Sequence, residues 1–202
     1  GRADLLRDLA ISYDHLGELA LAEGELEFAL RYFDDSLATR KQLVEREPGR
    51  ADLLRDLSIS YDKLGDIHRD LDKGELARTY YEDSLAIAQQ LVEREPGRAD
   101  LLRDLSFSYD KLGDIHRYLG KTELALRYSE DSLAIARQLV EREPGRADLR
   151  RDLSHYYENL GDIHRALGDG QLARRYFDDS LAIAQQLVED EPDRADILRD
   201  LS

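Results

Sequence analysis

From Asp52 to Leu71 the apolar and small residues fall at Leu53, Leu57, Tyr61, Leu64, His68 and Leu71, at steps of four, four, three, four and three. That spacing lines one face of an α-helix. LDKG at 71–74 interrupts it. A second pattern runs from Glu75 through Ala77, Tyr81, Ser84, Ala88 and Leu91, flanked by Tyr80, Leu85, Ile87 and Val92. It stops at EREPG, 93–97, because proline cannot continue a helix and disfavours helical geometry in the residue before it. The pattern predicts two helices of about 20 residues, each roughly 30 Å long. No segment alternates as a strand would.

The pair recurs. GRADLLRDL starts at Gly1, Gly49 and Gly97, GRADLRRDL at Gly145 and DRADILRDL at Asp193, so the period is 48 residues. The chain reads as one array over 1–202: units 1–48, 49–96, 97–144 and 145–192, plus a partial fifth at 193–202. Breaks are expected near 21–25, 46–50, 71–75, 94–98, 119–123, 142–146, 167–171 and 190–194. A lone hairpin leaves one apolar face uncovered, and stacked neighbours bury it.

Within the repeat, Tyr61-x-x-Leu64-Gly65-x-x-His68, then Ala77, Tyr81, Leu85 and Pro96, resembles the tetratricopeptide repeat in order and spacing. Tyr13, Leu16, Gly17, Gly24, Ala29 and Phe33 match in unit one, Tyr109, Leu112, Gly113, Gly120 and Ala125 in unit three, and Tyr157, Leu160, Gly161, Gly168, Ala173 and Phe177 in unit four. The resemblance spans the chain and implies an all-α fold, a right-handed α-solenoid of antiparallel helix hairpins forming a superhelix. The units are longer than the family's roughly 34 residues, by about two turns per helix, and SLAI at 84–87, 132–135 and 180–183 is similar to lengthened relatives such as the kinesin light chain and Leu-Gly-Asn adaptors. The family's second aromatic on the first helix is replaced by His68, His116 and His164, and in unit one by Leu19, one place before Ala20. Ser129 stands where unit three should carry an aromatic. Glycine costs up to ~1 kcal/mol inside a helix, so its return at 17, 65, 113 and 161 predicts a close helix approach there.

Composition narrows the chemistry. There is no Cys, which removes disulfides and thiolate sites, and no Met, which suggests an excised or engineered piece. No apolar run is long enough to span a bilayer and no basic-then-apolar leader opens the sequence, so no membrane association and a cytoplasmic location are expected. Lys+Arg 29 against Asp+Glu 44 gives a net charge of −15, which favours solubility and disfavours nucleic acid, whose phosphates need clustered bases. The His ladder does not read as a metal site: equivalent helices lie about 8–10 Å apart or more, beyond one ion's reach at ~2.1 Å bonds, and no HExxH occurs. A buried histidine with one nitrogen hydrogen-bonded is expected instead. Ser58, Ser84 and their copies read as small packing residues, there is no nucleophile elbow or phosphate loop, and the acid pairs Asp34–Asp35 and Glu82–Asp83 read as solvated. No enzyme activity and no cofactor are expected.

Beside the core, a stripe runs down each first helix: Arg7, Ile11, Asp14, Glu18 and Leu21; Arg55, Ile59, Asp62, Asp66 and Arg69; Arg103, Phe107, Asp110, Asp114 and Arg117; Arg151, His155, Glu158, Asp162 and Arg165. The next position runs Ala22, Asp70, Tyr118 and Ala166. By the resemblance this stripe lines the concave, peptide-binding surface. Its acidic centre and variable apolar members point to an extended or helical, basic protein segment as partner. Acid and Arg on adjacent helices pairing with one another is the competing reading of the charges. The near-identity of the units supports the alternative function, a structural spacer or self-assembling module, duplicated or designed, with no dedicated ligand. The chain ends predict homo-oligomers: the last full helix, about 171–190, expects a following helix, and the stub supplies only Ile197, Leu198 and Leu201.

Overall fold

The computed structural model describes residues 2–190, with side chains from residue 3 onward. Among these residues are eight helices and no strand: α1 (Arg2–Ala22), α2 (Leu26–Arg46), α3 (Ala51–Asp70), α4 (Gly74–Arg94), α5 (Ala99–Tyr118), α6 (Thr122–Arg142), α7 (Ala147–Ala166) and α8 (Gly170–Asp190). The chain is an all-α repeat of helix hairpins. Every loop from the first to the seventh lies inside the break predicted for it. The last predicted break and the partial fifth unit, with Ile197, Leu198 and Leu201, lie outside the described residues.

The chain divides into two compact units, Gly1–Leu101 and Leu102–Ser202. In the first, α1 pairs with α2, α3 pairs with α4, and α3 packs on α2. Its core joins Ala20, Ala29, Phe33, Leu37, Leu57, Leu64 and Ile67, closed over by Tyr61, Tyr80 and Ile87. Leu54, Leu91 and Leu101 form a smaller cluster. In the second unit, α7 pairs with α8 and packs on α6 around Leu133, Ala136, Leu153, Tyr156 and Leu160. Each fully buried aliphatic side chain contributes about 1.5–3 kcal/mol.

The turns after Arg46, Arg94 and Arg142 are fastened by side chains instead of by N-caps. The residues preceding α3 and α7 make no side-chain cap. Arg50 instead binds Asp52 in the first turn of α3 through Nε (2.9 Å) and Nη2 (2.5 Å), and Glu47 behind it through Nη1 (3.1 Å). Arg98 repeats this with Asp100 and Glu95, and Arg146 with Asp148 and Glu143. The guanidinium holds Asp52 below the usual carboxylate range and Asp148 well below it. The Asp also favours the helix N-terminus on which it sits. EREPG, legible in the sequence as a stop, is therefore the first half of a clip completed by the RAD that follows. Within hairpins, Gly24, Gly120 and Gly168 take positive φ in the tight turn, and Asp72 takes the same geometry at 61°.

The close approach at the four glycines is present. A Cβ at Gly17 would lie 2.7 Å from the Phe33 ring, at Gly65 2.5 Å from the Tyr81 ring, and at Gly161 2.6 Å from the Phe177 ring. In the third repeat, Ser129 replaces the ring and its Oγ lies 2.6 Å from such a Cβ, with the nearest backbone atom at 3.4 Å. In the first hairpin Ala20, not Leu19, fills the position of His68: Ala20 is buried, whereas Leu19 points outward. Leu5 is 70% exposed, while its copy Leu53 is 3% exposed, and Leu9, Leu16 and Leu19 are likewise exposed where Leu57, Leu64 and Ile67 are buried. These are the positions that a preceding hairpin covers elsewhere.

The glycine contacts predict opposite outcomes for one substitution at two copies. Gly65→Ala should destabilise by about 1–3 kcal/mol through overpacking against a ring that cannot withdraw. Gly113→Ala should be neutral or stabilising by up to ~1 kcal/mol, because Ser129 Oγ can rotate away and alanine is the better helix former. Thermal melts of the two variants check both; equal losses would mean that the ring is not what excludes the methyl.

Candidate functional site

The stripe lies on α1, α3, α5 and α7, and the structure sorts its members into displayed and buried. Ile11, Ile59, Phe107, Tyr118 and His155 are exposed, as are Glu18, Glu158, Arg117 and Arg165. Asp62, Asp66, Arg69, Asp114 and Asp162 are half-buried, and Asp14 and Asp110 are buried. Burying a carboxylate is costly unless it is paired and hydrogen-bonded; both are, with Asp14 Oδ1 alone buried without a hydrogen-bond partner. Asp14 Oδ2 accepts from Arg40 Nη2 at 2.7 Å, while Arg40 also donates to Ser36 (3.1 Å) and to Ser60. Asp110 accepts from Asn159 Nδ2 at 2.7 Å and lies 3.3 Å from His155 Nε2.

Much of the remaining charge is used between consecutive first helices. In the first unit Arg7 reaches Asp56 at 2.9 Å and Asp52 at 3.3 Å, and Lys63 reaches Glu18 at 2.7 Å. In the second, Arg103 reaches Asp152 at 2.5 Å and Asp148 at 2.8 Å. On the same helix, Arg69, Arg117 and Arg165 pair back to Asp66 (3.6 Å), Asp114 (2.9 Å) and Asp162 (2.9 Å). Asp66 also accepts from the Tyr81 hydroxyl at 2.7 Å, and Glu158 from Ser180 at 2.9 Å. Exposed pairs of this kind are worth about 0–1 kcal/mol each.

One depression opens on the stripe of the first unit, with a volume of about 240 Å³. Leu21 and Phe33 contribute apolar walls with Leu26 and Ile67, and Glu18, Asp66, Asp70 and Lys63 surround them. Leu26 was not legible as a site residue by helical period. Its signal is departure from the repeat, whose copies are Gly74, Thr122 and Gly170. Leu21 departs likewise, from Arg69, Arg117 and Arg165.

The His ladder is packing. His68 stacks on Tyr80 with centroids 5.2 Å apart, His116 on Tyr128 at 5.3 Å and His164 on Tyr176 at 5.5 Å. Nδ1 of His68 is buried without a hydrogen-bond partner, and the stack on Tyr80 helps to hold the ring. Among the described residues no three His, Cys, Asp or Glu side chains are placed to hold a metal ion, and no helix is long and apolar enough to cross a membrane.

A tetratricopeptide repeat family model matches residues 58–96, 108–144 and 153–193, more than half of the chain. The chain belongs to the tetratricopeptide repeat family. Such repeats generally mediate protein–protein interaction. No curated protein sequence matches the chain. Among solved structures it is similar to BtubC (BKLC) from P. vanneervenii, with 23% identity and a TM-score of 0.68 over 89% of this chain and 64% of that one. It therefore spans less than two thirds of that protein's length. It is also similar to a Podosopora anserina protein described as a kinesin light chain with nearly identical TPR-like repeats (15% identity, TM-score 0.51, 90% and 97% covered) and to the protein of the DHF58 filament (15%, 0.50, 93% and 96%). At these identities the likeness is one of fold.

Arg40→Ala should destabilise the first unit by about 3 kcal/mol, since it leaves Asp14 buried without its guanidinium, and adding Asp14→Ala should restore much of the loss; denaturant unfolding of the single and double variants checks it. His68 and His155 should titrate on opposite sides of the ordinary value of 6.5. Burial, with Lys73 adding to it and Asp34 opposing, lowers His68, whereas the hydrogen bond to Asp110 raises His155 despite partial burial. His68 therefore supports the fold above pH 6.5 and loses that support as pH falls toward its lowered value. His155 supports it below 6.5 and loses that support as pH rises through its raised value. NMR titration of the imidazole resonances reads both.

Proposed function

We propose that this tetratricopeptide repeat chain is an interaction module that takes a basic protein segment along its first-helix stripe. The observation that carries the reading is the depression between α1 and α3, where three carboxylates and one ammonium surround apolar walls. Asp14 and Asp110 are buried and paired, which leaves Ile11, Glu18, Ile59, Asp66 and Asp70 to a segment on the first unit, and Phe107, Asp114, Tyr118, Glu158 and Asp162 to a segment on the second. Exposed apolar residues beside acids suit a segment that alternates apolar and basic side chains. Screening by salt weakens such binding.

The test is a reversal that leaves the buried carboxylates alone. Glu18, Asp70 and Asp162 changed to Lys should keep the helix content and weaken a captured partner at least tenfold at low salt. A partner bound equally well by the reversed chain does not use this stripe.

The exposed leucines of the first hairpin favour a second reading, a structural module that stacks on a like surface. Leu5, Leu9, Leu16 and Leu19 present the face that α3 buries with the corresponding residues, and Leu181 on α8 is exposed where its copy Leu133 is buried. Self-association through these faces is apolar and opposed by the net charge of −15, so it should strengthen with salt, the reverse of groove binding. Sedimentation over a concentration series at two salt levels separates the readings, with Leu5→Glu and Leu9→Glu together expected to give a monomer. A monomer at every concentration and salt level removes the stacking module.

A further inference from the structure

Two of the four apolar residues that line the depression between α1 and α3 depart from the repeat. Leu21 stands where the other three units have Arg69, Arg117 and Arg165, and Leu26 where they have Gly74, Thr122 and Gly170. Both leucines are exposed. They lie at the end of α1 and the start of α2, on either side of the Gly24 turn. Phe33, seated on Gly17, and Ile67 from α3 complete the apolar lining. No arginine arises here to pair with Glu18 as Arg69 does with Asp66. Glu18 is met instead by Lys63 from the next hairpin, whose Nζ also lies 5.4 Å from the centroid of the Phe33 ring. Asp70 is a third departure, its copies being Ala22, Tyr118 and Ala166. Its carboxylate is drawn toward Arg69 Nη2 at 3.2 Å and is mostly exposed.

Resting on the interaction-module reading, we infer that this depression is the anchor point for the partner segment, and that it takes one branched aliphatic side chain flanked by arginine or lysine. A volume of about 240 Å³ is below the roughly 300 Å³ at which small-molecule sites begin, and it suits a single side chain of a larger partner. The walls are apolar and provide no buried polar group to orient a polar ligand. The charge at its edge, three carboxylates against the Lys63 ammonium and the Arg69 guanidinium that pairs with Asp66 and Asp70, is net negative and selects the flanking residues: a cation beside the anchor competes for Asp66 and Asp70 from α3 or for Glu18 from α1. Burying one leucine-sized side chain is worth enough to change affinity by about tenfold or more. The stripe elsewhere has Arg at the position of Leu21, so anchoring is confined to this one step of the repeat and fixes the register of the bound segment.

The repeat itself supplies the control. Leu21→Arg with Leu26→Thr converts the site to residues that its own copies carry, so the hairpin should fold. The probe is a blocked pentapeptide with leucine between two arginines and glycine at each end, compared with one whose central residue is glycine. Both are titrated to several millimolar against protein with labelled leucine methyls and backbone amides. The leucine peptide should shift the Leu21 and Leu26 methyls and bind at least about tenfold more tightly than the glycine peptide, and the double variant should abolish that difference while its spectrum stays folded. Equal binding of the two peptides, with shifts along the stripe, overturns the anchor and leaves the interaction reading standing. Absence of shifts from either peptide overturns both. Leucine-dependent shifts that persist in the double variant place the apolar contact elsewhere and overturn the anchor.

Discussion

An aromatic ring laid on a helix position that has no side chain is the contact on which most of the arrangement depends. Phe33 on Gly17, Tyr81 on Gly65 and Phe177 on Gly161 bring the second helix of each hairpin against the first more closely than any other residue at the glycine would permit. The ring then does something local. Tyr81 turns its hydroxyl to Asp66 and fixes that carboxylate at the stripe, at the cost of a phenol whose own ionisation is pushed far up by burial and the neighbouring charge. Phe33 has no hydroxyl, and its ring forms the wall of the depression instead. The same packing device thus produces a polar anchor in one hairpin and an apolar surface in the other.

Charge is distributed by a second constraint, the spacing of consecutive first helices. An arginine near the start of one helix reaches two aspartates near the start of the next, in the first unit from Arg7 and in the second from Arg103. Each pair alone is weak where solvent screens it, but the geometry recurs in both units. Acid-rich composition is therefore only partly a statement about ligands. Asp14 and Asp110, central to the stripe by sequence, are interior groups whose partners are already present.

Helix existence, breaks and the glycine contacts were legible because each is a local signal repeated four times: a 3.6-residue period, a proline after each second helix, a glycine where propensity disfavours it. Leu54 and Ile67, both buried, escaped the period read from Leu53, Leu57 and Leu64 because the core-facing stripe is two residues wide. Arg40 escaped for a different reason. It is charged, lies on a second helix and has Ala88, Ala136 and Ala184 as copies, so nothing local announces that it is buried against Asp14. The roles of Arg50, Arg98 and Arg146 were hidden because a clip requires three residues on two elements, and the sequence shows only that a proline and glycine precede the arginine.

Departures from the repeat are informative once they are divided by whether the molecule answers them. Arg40 is answered by Asp14, Ser36 and Ser60, and Asn159, where the second and third units have lysine and the first has histidine, is answered by Asp110. Ser129, in place of a ring, meets Gly113 with a smaller atom. Each of these keeps local packing or buried charge satisfied, so stability alone accounts for it. Leu21 and Leu26 are unanswered: they replace arginine and small residues with apolar surface that stays exposed. Exposing two leucines contributes nothing to the fold of a hairpin whose other copies manage without them. An array that otherwise copies itself closely has thus placed Leu21 and Leu26 together, around one depression, with carboxylates at its edge.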